Sequence, residues 1–592
     1  MNFKVYDAPH SDNTVMQILL NRGLSVEEAF RYMNLSEESV NSPLLLGEDK
    51  LVAAKQIIDN TMISQQKMLV IVDSDCDGFT SAALFINYLY EMNPTYVEEC
   101  VEYRFHEGKQ HGLTDMVDYI LTKDFKLVVV PDGGSNDYEP QKTLKENGID
   151  VIVLDHHETG YFNKDAIVIN NQMCDYPNKS FSGVGIVWQF CRYMDTENGT
   201  NYADKFIDLV ALGNIGDMMD LRNPETRYVI SKGLRPDNIQ NPFIYGMWQK
   251  NMFKLTDEPT AWGYTFYIVP MVNACNRSGS LEDKQVMFQA MLTNRADVKV
   301  PSTKRGHKAG EMETICTQSL RVATNVKRHQ DKAVDESMAK LIKKIEDENL
   351  LQHKVLLLLL PAGYMSPNTA GLVANKLMAK YQRPCCVLMK NGDSFSGSAR
   401  GCDIIGVTKF KDICEATNAC EYTIGHQGAF GLSIKVHYED DEFGEVDGDN
   451  LYQFIEKTDE VLKDISSEPI YFVDYLWDVN EVEPNRILDI AKLGYLWGSN
   501  MQESKVGIKN IEVSKDNITI MASNTLKITL PNGVAIIKFR ASDEEIAALT
   551  PADGTVTKIN IVGTCNANEW AGEVTPQIFL DEYEIQRKAW VL

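Results

Sequence analysis

The sequence predicts an α/β protein: a parallel-sheet domain, a smaller α/β domain joined to it by a long helix, and a C-terminal OB-like β-barrel. Three observations predict this. From Met68 short β-rich runs alternate with helical patterns, and strands that alternate with helices form a parallel sheet. Residues 306–349 show helical periodicity, few breakers and dense charge, as a long exposed helix bridging two lobes does. From about Met501 the pattern becomes all-β, with strands meeting at the turn Pro531-Asn532-Gly533.

The chain opens with a helical segment, residues 1–65, in which ILLNRGLSVEEAFRYMN reads as helices with Ser25 as a cap. The parallel-sheet domain, residues 66–305, carries apolar runs in MLVIVDSDCDG, KLVVVPDGGSND, VIVLDHHE and DAIVINNQ, and three of these end in a polar cluster. Such sheets bind ligands at the carboxyl ends of their strands. Asp73, Asp132 and Asp155 are therefore expected along one edge of one sheet. The long helix takes residues 306–350. The second α/β domain, residues 351–440, runs from HKVLLLLLPA through AGLVANKLMAKY to RPCCVLMKNGDSFSGSAR and YTIGHQGAFGLSIKVHY. An acidic helical connector, residues 441–500, leads to the β domain, residues 501–592, where about five strands in a partly open barrel fit the length.

Composition narrows the function classes. Hydrophobic residues at 44% and charged residues at 24% describe an ordinary globular protein. The longest apolar run, Val355 to Leu360, is strand-sized, so no membrane span is expected. The start MNFKVYDAPHSDN lacks a signal-peptide pattern, and a cytoplasmic protein is expected. Twelve cysteines include no CxxC pair, and the adjacent Cys385 and Cys386 suit neither structural zinc nor a disulfide, which leaves reduced thiols. A net charge of −26 argues against coating nucleic acid through a broad basic face. It leaves room for weak, localised binding that prefers metal-loaded protein, because ions neutralise the carboxylates that hold them.

Asp73, Asp75 and Asp77 form D-x-D-x-D-G where strand alternation breaks into a turn. Alternate positions point the same way, so more than one of these carboxylates is expected to face one site. Gly78 is expected to turn the backbone into a helix beginning near Thr80. Asp132 ends the next strand in P-D-G-G; Asp155, His156 and His157 end the third; Asp217 follows the apolar run LVALGNIG. Taken singly, each reads as a polar loop or a packing residue. Their joint occurrence at strand ends points to a metal site. Hard carboxylates with one or two imidazoles suit Mn²⁺ or Mg²⁺ rather than zinc thiolate chemistry. Two such ions would acidify a bridging water and clamp both oxygens of a phosphodiester.

This series resembles that of the DHH phosphoesterases, and within them the RecJ exonucleases. ILLNRGLSVEEA, YRFHEGKQHGL, NNQMCDYPNKSFSGVG, DLVALGNIGDMMDL, MVNACNRSGSLED, ATNVKRHQDKA, SGSAR, GHQGAFGLSI and NEWAGEVTPQIFLDEYEI all resemble RecJ segments, in one order over nearly the whole chain. The resemblance implies Asp73, Asp75, Asp77, Asp132, His156 and Asp217 as metal ligands, without fixing which two of the first three ligate directly. It implies His157 beside the scissile phosphate and Asp155 behind, orienting the histidines. Arg104, Arg277, Ser398 and Arg400 match positions that contact the terminal 5′-phosphate or nearby backbone, a task suited to guanidinium forks and a Gly-Ser turn. Gly425 and His426 begin the glycine-rich signature of the DHH-associated substrate-binding domain. Asn325 and Arg328, on the first turns of the long helix, match a strand-contacting pair. Three stretches depart from the family pattern. Residues 362–367 replace a Trp-His-x-Gly stretch, P-D-G-G stands for Asp-Cys-Gly, and G-H-Q-G-A replaces a doubled-glycine form. These bear on substrate grip and end preference. Tyr364, Trp570 and Tyr583 are candidates to stack on bases, with core packing expected for Trp570.

The implied activity is 5′-to-3′ hydrolysis of single-stranded DNA to mononucleotides with two Mn²⁺ or Mg²⁺ ions, in replication, recombination or repair. The expected partners are single-stranded nucleic acid, DNA favoured, and replication or repair proteins; a monomer is expected. Two other readings compete. Shorter DHH relatives act on short oligoribonucleotides or cyclic dinucleotides, but the long helix and the C-terminal domain argue against that here. Acidic, non-catalytic replication scaffolds share the fold, but the retained Asp and His residues argue against that one.

Overall fold

The computed structural model describes residues 1–106, 110–160, 164–255, 258–435, 437–440, 444–447, 449–465, 468–551 and 555–590. The chain divides into two compact units, one of residues 9–328 with 493–503, the other of residues 1–8, 329–492 and 504–592.

The first unit is built on five parallel strands in the order Val101–Phe105, Lys67–Val72, Phe125–Pro131, Asp150–Asp155, Ile167–Asn170. The three central strands are buried from end to end apart from Lys67, Lys126 and Asp150, which explains their unbroken apolar runs. The edge strand Val101–Phe105 is half-exposed, and its VEYRF carries no apolar run to betray it. Upstream, helices Thr14–Asn21 and Val26–Met33 flank Ser25. Ser25 Oγ accepts from Glu28 N at 3.3 Å while Glu28 Oε2 accepts from Ser25 N at 2.8 Å. This reciprocal cap is worth about 1 kcal/mol.

The long helix runs from Ile315 to Asp347, starting later than position 306. The preceding residues form a hairpin of Lys299–Pro301 with Met312–Thr314, and Ser302 N donates to Glu311 O at 2.9 Å. Those backbone groups are committed across the hairpin and cannot continue a helix.

In the second unit a five-stranded sheet has the order Cys420–His426, Ala429–Lys435, Ser394–Arg400, Cys385–Asn391, Leu356–Leu360, with only the last pair parallel. The stretch 441–500 is more than a connector. Helix Asp449–Val461 sends Phe454 into the core of this sheet, whereas Trp477, Ile487 and Ile490 join the core of the β domain. Exposed acids such as Glu456 and Glu460 masked that apolar stripe. The β domain is one sheet of seven strands, not five. Their order is Tyr475–Asp478, Lys505–Val513, Thr555–Trp570, Glu573–Trp590, Ala535–Lys538, Thr525–Thr529, Ile518–Met521. The turn at Pro531-Asn532-Gly533 joins Thr525–Thr529 to Ala535–Lys538 as expected. Trp570 does not pack in a core. It sits on the last rung of a long hairpin, opposite Glu573, and is 79% exposed. All twelve cysteines are free thiols; Cys385 and Cys386 are both buried, on opposite faces of their strand. Among the described residues no helix is long and apolar enough to cross a membrane.

Candidate metal centre

Three neighbouring strands end together and deliver Asp73, Asp132 and Asp155 to one edge of the sheet. The other acids arrive differently from the sequence expectation. Helix Cys76–Met92 starts before Thr80, capped by Asp75, whose Oδ1 accepts from Gly78 N at 3.0 Å. Asp77 therefore lies in a helical turn, and strand alternation does not relate it to Asp73. Gly78 makes no turn. A Cβ there would stand 2.4 Å from Asp73 Cβ, so the missing side chain is what lets the helix approach the strand end. Asp217 caps the C-terminus of a helix, Ile207–Gly216, rather than ending a strand. That helix is buried all round, and an apolar run of its length has no periodicity that separates helix from strand.

His156 Nε2 is the hub of the cluster. It lies 3.3 Å from Asp132 Oδ1, 3.4 Å from Asp217 Oδ2 and 3.9 Å from Asp77 Oδ2. Asp77 also accepts from Ser182 Oγ at 3.0 Å, Gly183 N at 2.6 Å and Val184 N at 3.1 Å. Asp132 has φ of +62°, a left-handed backbone that costs an L-residue about 1 kcal/mol. Asp155 is committed to its neighbours. Its Oδ1 accepts from His156 N at 2.7 Å, His157 N at 3.2 Å and His157 Nδ1 at 2.8 Å, and its Oδ2 accepts from Ser135 N at 3.1 Å.

Two histidines absent from the sequence expectation join the site. His111 Nδ1 lies 2.7 Å from Asp73 Oδ2, and His106 Nε2 lies 3.6 Å from Asp73 Oδ1 while its Nδ1 meets Asp115 at 2.9 Å. Both come from YRFHEGKQHGL, of which residues 107–109 lie outside the described residues. The available signal was a histidine directly after a strand on the edge that carries Asp73, but that strand was itself hard to see.

The electrostatics set two groups apart. Burial, then the charge of Asp75, pushes the Asp77 carboxyl up to about 7. Burial, then Asp77 and Asp75, pushes Asp217 up to about 8. Asp132 stands well above the usual carboxylate range through burial and the same acidic neighbours, and burial raises Asp73 despite its bond with His111. For Asp155 burial acts upward too, but the His157 hydrogen bond and the two imidazoles outweigh it and hold the carboxyl well below its usual range. His157 rises to about 9, chiefly through that same bond. Buried carboxylates that raise one another are stabilised by a cation. Oxygen and imidazole donors approach within 4.8 Å of one another in two sets, Asp77 with His156 and Asp217, and Asp132 with Asp155, His156 and His157. Such donors fit a hard divalent ion such as Mn²⁺ or Mg²⁺.

The remaining expected residues fall into three places. Arg277, on helix Val269–Ser278, is lowered in pKa by burial and raised by the charge of Asp75, which ties it to the acidic edge. Arg104 stacks on Tyr119, its guanidinium carbon 3.7 Å from the ring centroid. Asn325 and Arg328 lie on the long helix, with Arg328 Nη2 donating to Asn325 Oδ1 at 3.4 Å. Ser398, Arg400, Gly425 and His426 share the sheet of the second unit. There Ser398 and Arg400 occupy alternate positions of one strand, and Arg400 faces Ala429, the partner of His426. Tyr364 is exposed, while Tyr583 packs against the β-domain core.

Residues 67–214 match the family model described as DHH family, N-terminal domain. A protein of Bacillus subtilis (strain 168) named as an SPbeta prophage-derived single-strand DNA-specific exonuclease, YorK, is 32% identical over 590 residues, covering 98% of this chain and 97% of that protein. The chain belongs to the DHH family, in its RecJ-like branch. The single-stranded-DNA-specific exonuclease RecJ of Bacillus subtilis (strain 168) is 25% identical over 588 residues, which cover 97% of this chain and 68% of that protein. RecJ from Thermus thermophilus, solved in complex with Mn²⁺, shares the fold with a TM-score of 0.70 at 18% identity, over 98% of this chain and 79% of that one.

Proposed function

We propose that this protein is a metal-dependent exonuclease that hydrolyses single-stranded DNA from a 5′ end and releases mononucleotides. The observation that carries the reading is the packing of Asp77, Asp132 and Asp217 around His156 Nε2, in a chain similar along its whole length to proteins named as single-strand-specific exonucleases. Asp73, Asp75, Asp77, Asp132, His156 and Asp217 would hold two ions, Mn²⁺ or Mg²⁺. Bound there, the ions supply the positive charge that acidifies an attacking water and steadies the oxygens of the phosphodiester. Asp155 fixes the imidazole of His157 through Nδ1, which leaves Nε2 of that half-exposed ring to the substrate. With its pKa near 9, His157 keeps a proton at neutral pH for a phosphate oxygen or the departing oxygen. In the first unit Arg104 and Arg277 would contact phosphate, and Asn325 and Arg328 the strand; in the second unit Ser398 and Arg400 would contact phosphate or nearby backbone, and Gly425 and His426 the substrate. A monomer acting in replication, recombination or repair completes the reading.

The test is digestion of single strands labelled at one end or the other, with DNA, RNA and dinucleotides in parallel. Wild-type protein with Mn²⁺ or Mg²⁺ should release mononucleotides from the 5′-labelled end of DNA first, and Asp132→Asn should slow this at least about 100-fold. Release from the 3′ end would overturn the polarity. A faster rate on dinucleotides would overturn the strand substrate, and an unimpaired Asp132→Asn would overturn the site.

A further inference from the structure

A cavity of about 350 Å³ opens in the first unit between the N-terminal helix pair, helix Pro224–Gly233 and the segment around Tyr495, and none of the acidic cluster's residues lines it. Its depth is set by Arg227, which is only 4% exposed. The guanidinium donates to the backbone carbonyl of Tyr495, and its carbon lies 5.8 Å from the ring centroids of both Tyr32 and Tyr495. No carboxylate of a described residue pairs with it. The helix's own buried acid, Glu225, is occupied by Asn41, Tyr176, Asn178 and Gln189. Asp220, whose charge reaches Tyr32, is held by Arg222 at 2.6 Å. A buried cation faced only by neutral acceptors and rings is stabilised when an anion enters.

Tyr32 and Arg235 line the same cavity. The Tyr32 hydroxyl is buried, its residue 4% exposed, and it makes no hydrogen bond with a described residue. Burial pushes its pKa up to about 12, so it remains a neutral O–H able to donate or accept. At the mouth Arg235 is exposed and pairs with no described acid, whereas Lys232 beside it is neutralised by Asp204 at 2.8 Å. Tyr228 and Tyr495 add aromatic wall, and Met33, Leu35 and Leu496 close the apolar side. A flat ring against tyrosines and apolar side chains, with an anion on two guanidinium groups, is the complement of this lining. The volume lies at the small end of ligand pockets, room for one such unit.

We propose that this cavity is a second nucleotide site, which takes one nucleobase bearing a phosphate with Arg227 and Arg235 on the phosphate and the tyrosines along the base. Binding needs neither metal nor turnover, so the site stands or falls apart from the hydrolysis reading.

The experiment is titration calorimetry on the full chain in EDTA with dAMP, deoxyadenosine and inorganic phosphate as probes. The expected result is one dAMP bound at least about tenfold more tightly than either fragment. Arg235→Ala and Tyr495→Leu, both at exposed positions, should each weaken it about tenfold, while Asp132→Asn leaves it unchanged. A competing decanucleotide separates two sources of the same chemistry: displacement of dAMP assigns the bound nucleotide to a strand, persistence of dAMP to the free mononucleotide. Equal affinity for phosphate alone, loss of binding in Asp132→Asn with retention in Arg235→Ala, or no heat from millimolar dAMP would each overturn the proposal.

Discussion

Asp77 and Asp217 sit at about 7 and about 8 in a site where an isolated carboxyl would titrate near ~4. Below those values the metal-free protein keeps protons on the oxygens that an ion needs. Ion binding must then expel them, so affinity falls as pH drops through this range and rises as pH climbs through it. Calorimetry with Mn²⁺ at pH 7, in buffers of different ionisation enthalpy, should report release of at least about one proton per protein. A heat independent of the buffer would show that the cluster is already ionised. Asp155 works in the opposite sense. Its lowered pKa keeps it charged far below neutrality, so His157 stays oriented across the whole range in which the cluster loads.

At the scale of elements, the close approaches matter more than the strands themselves. Gly183 opens helix Gly183–Asn198, and a Cβ on it would stand 2.4 Å from Asp132 Oδ1. Asp132 cannot retreat easily, since its left-handed backbone is tied to Leu154 O at 2.8 Å. Gly183→Ala should therefore weaken Mn²⁺ binding at least about tenfold while the circular dichroism of the fold is kept; wild-type affinity in that variant would mean that Asp132 is not a ligand. The same scale shows what the sequence disclosed. Buried strands such as Phe125–Pro131 announce themselves by unbroken apolar runs, and Asp132 and Asp155 could be placed from them. The half-exposed strand Val101–Phe105 makes no such run, and His106 and His111 were missed with it. Helix Ile207–Gly216 shows a buried helix reading as a strand, so Asp217 stands at a helix C-terminus and not at a strand end, 3.4 Å from His156 Nε2. Trp570 was misplaced because a hairpin tip and a core position look alike in one dimension.

For the whole molecule the governing quantity is a net charge of −26. A body of that charge repels a polyanion, and divalent ions taken up by the acidic cluster would add positive charge that offsets the repulsion. A cleavage-resistant phosphorothioate strand followed by anisotropy should therefore bind at least about tenfold more tightly with Mn²⁺ than with EDTA at equal ionic strength. Equal affinity in the two conditions would place the strand's grip wholly outside the acidic cluster.

The crowding of those carboxylates has a reciprocal side. If the ion strengthens capture of the strand, the strand must strengthen capture of the ion by the same factor. DNA is then a co-ligand as well as a substrate. At scarce divalent ion the protein is armed where single strands are present and stays largely disarmed elsewhere, a form of self-restraint that needs no separate inhibitor.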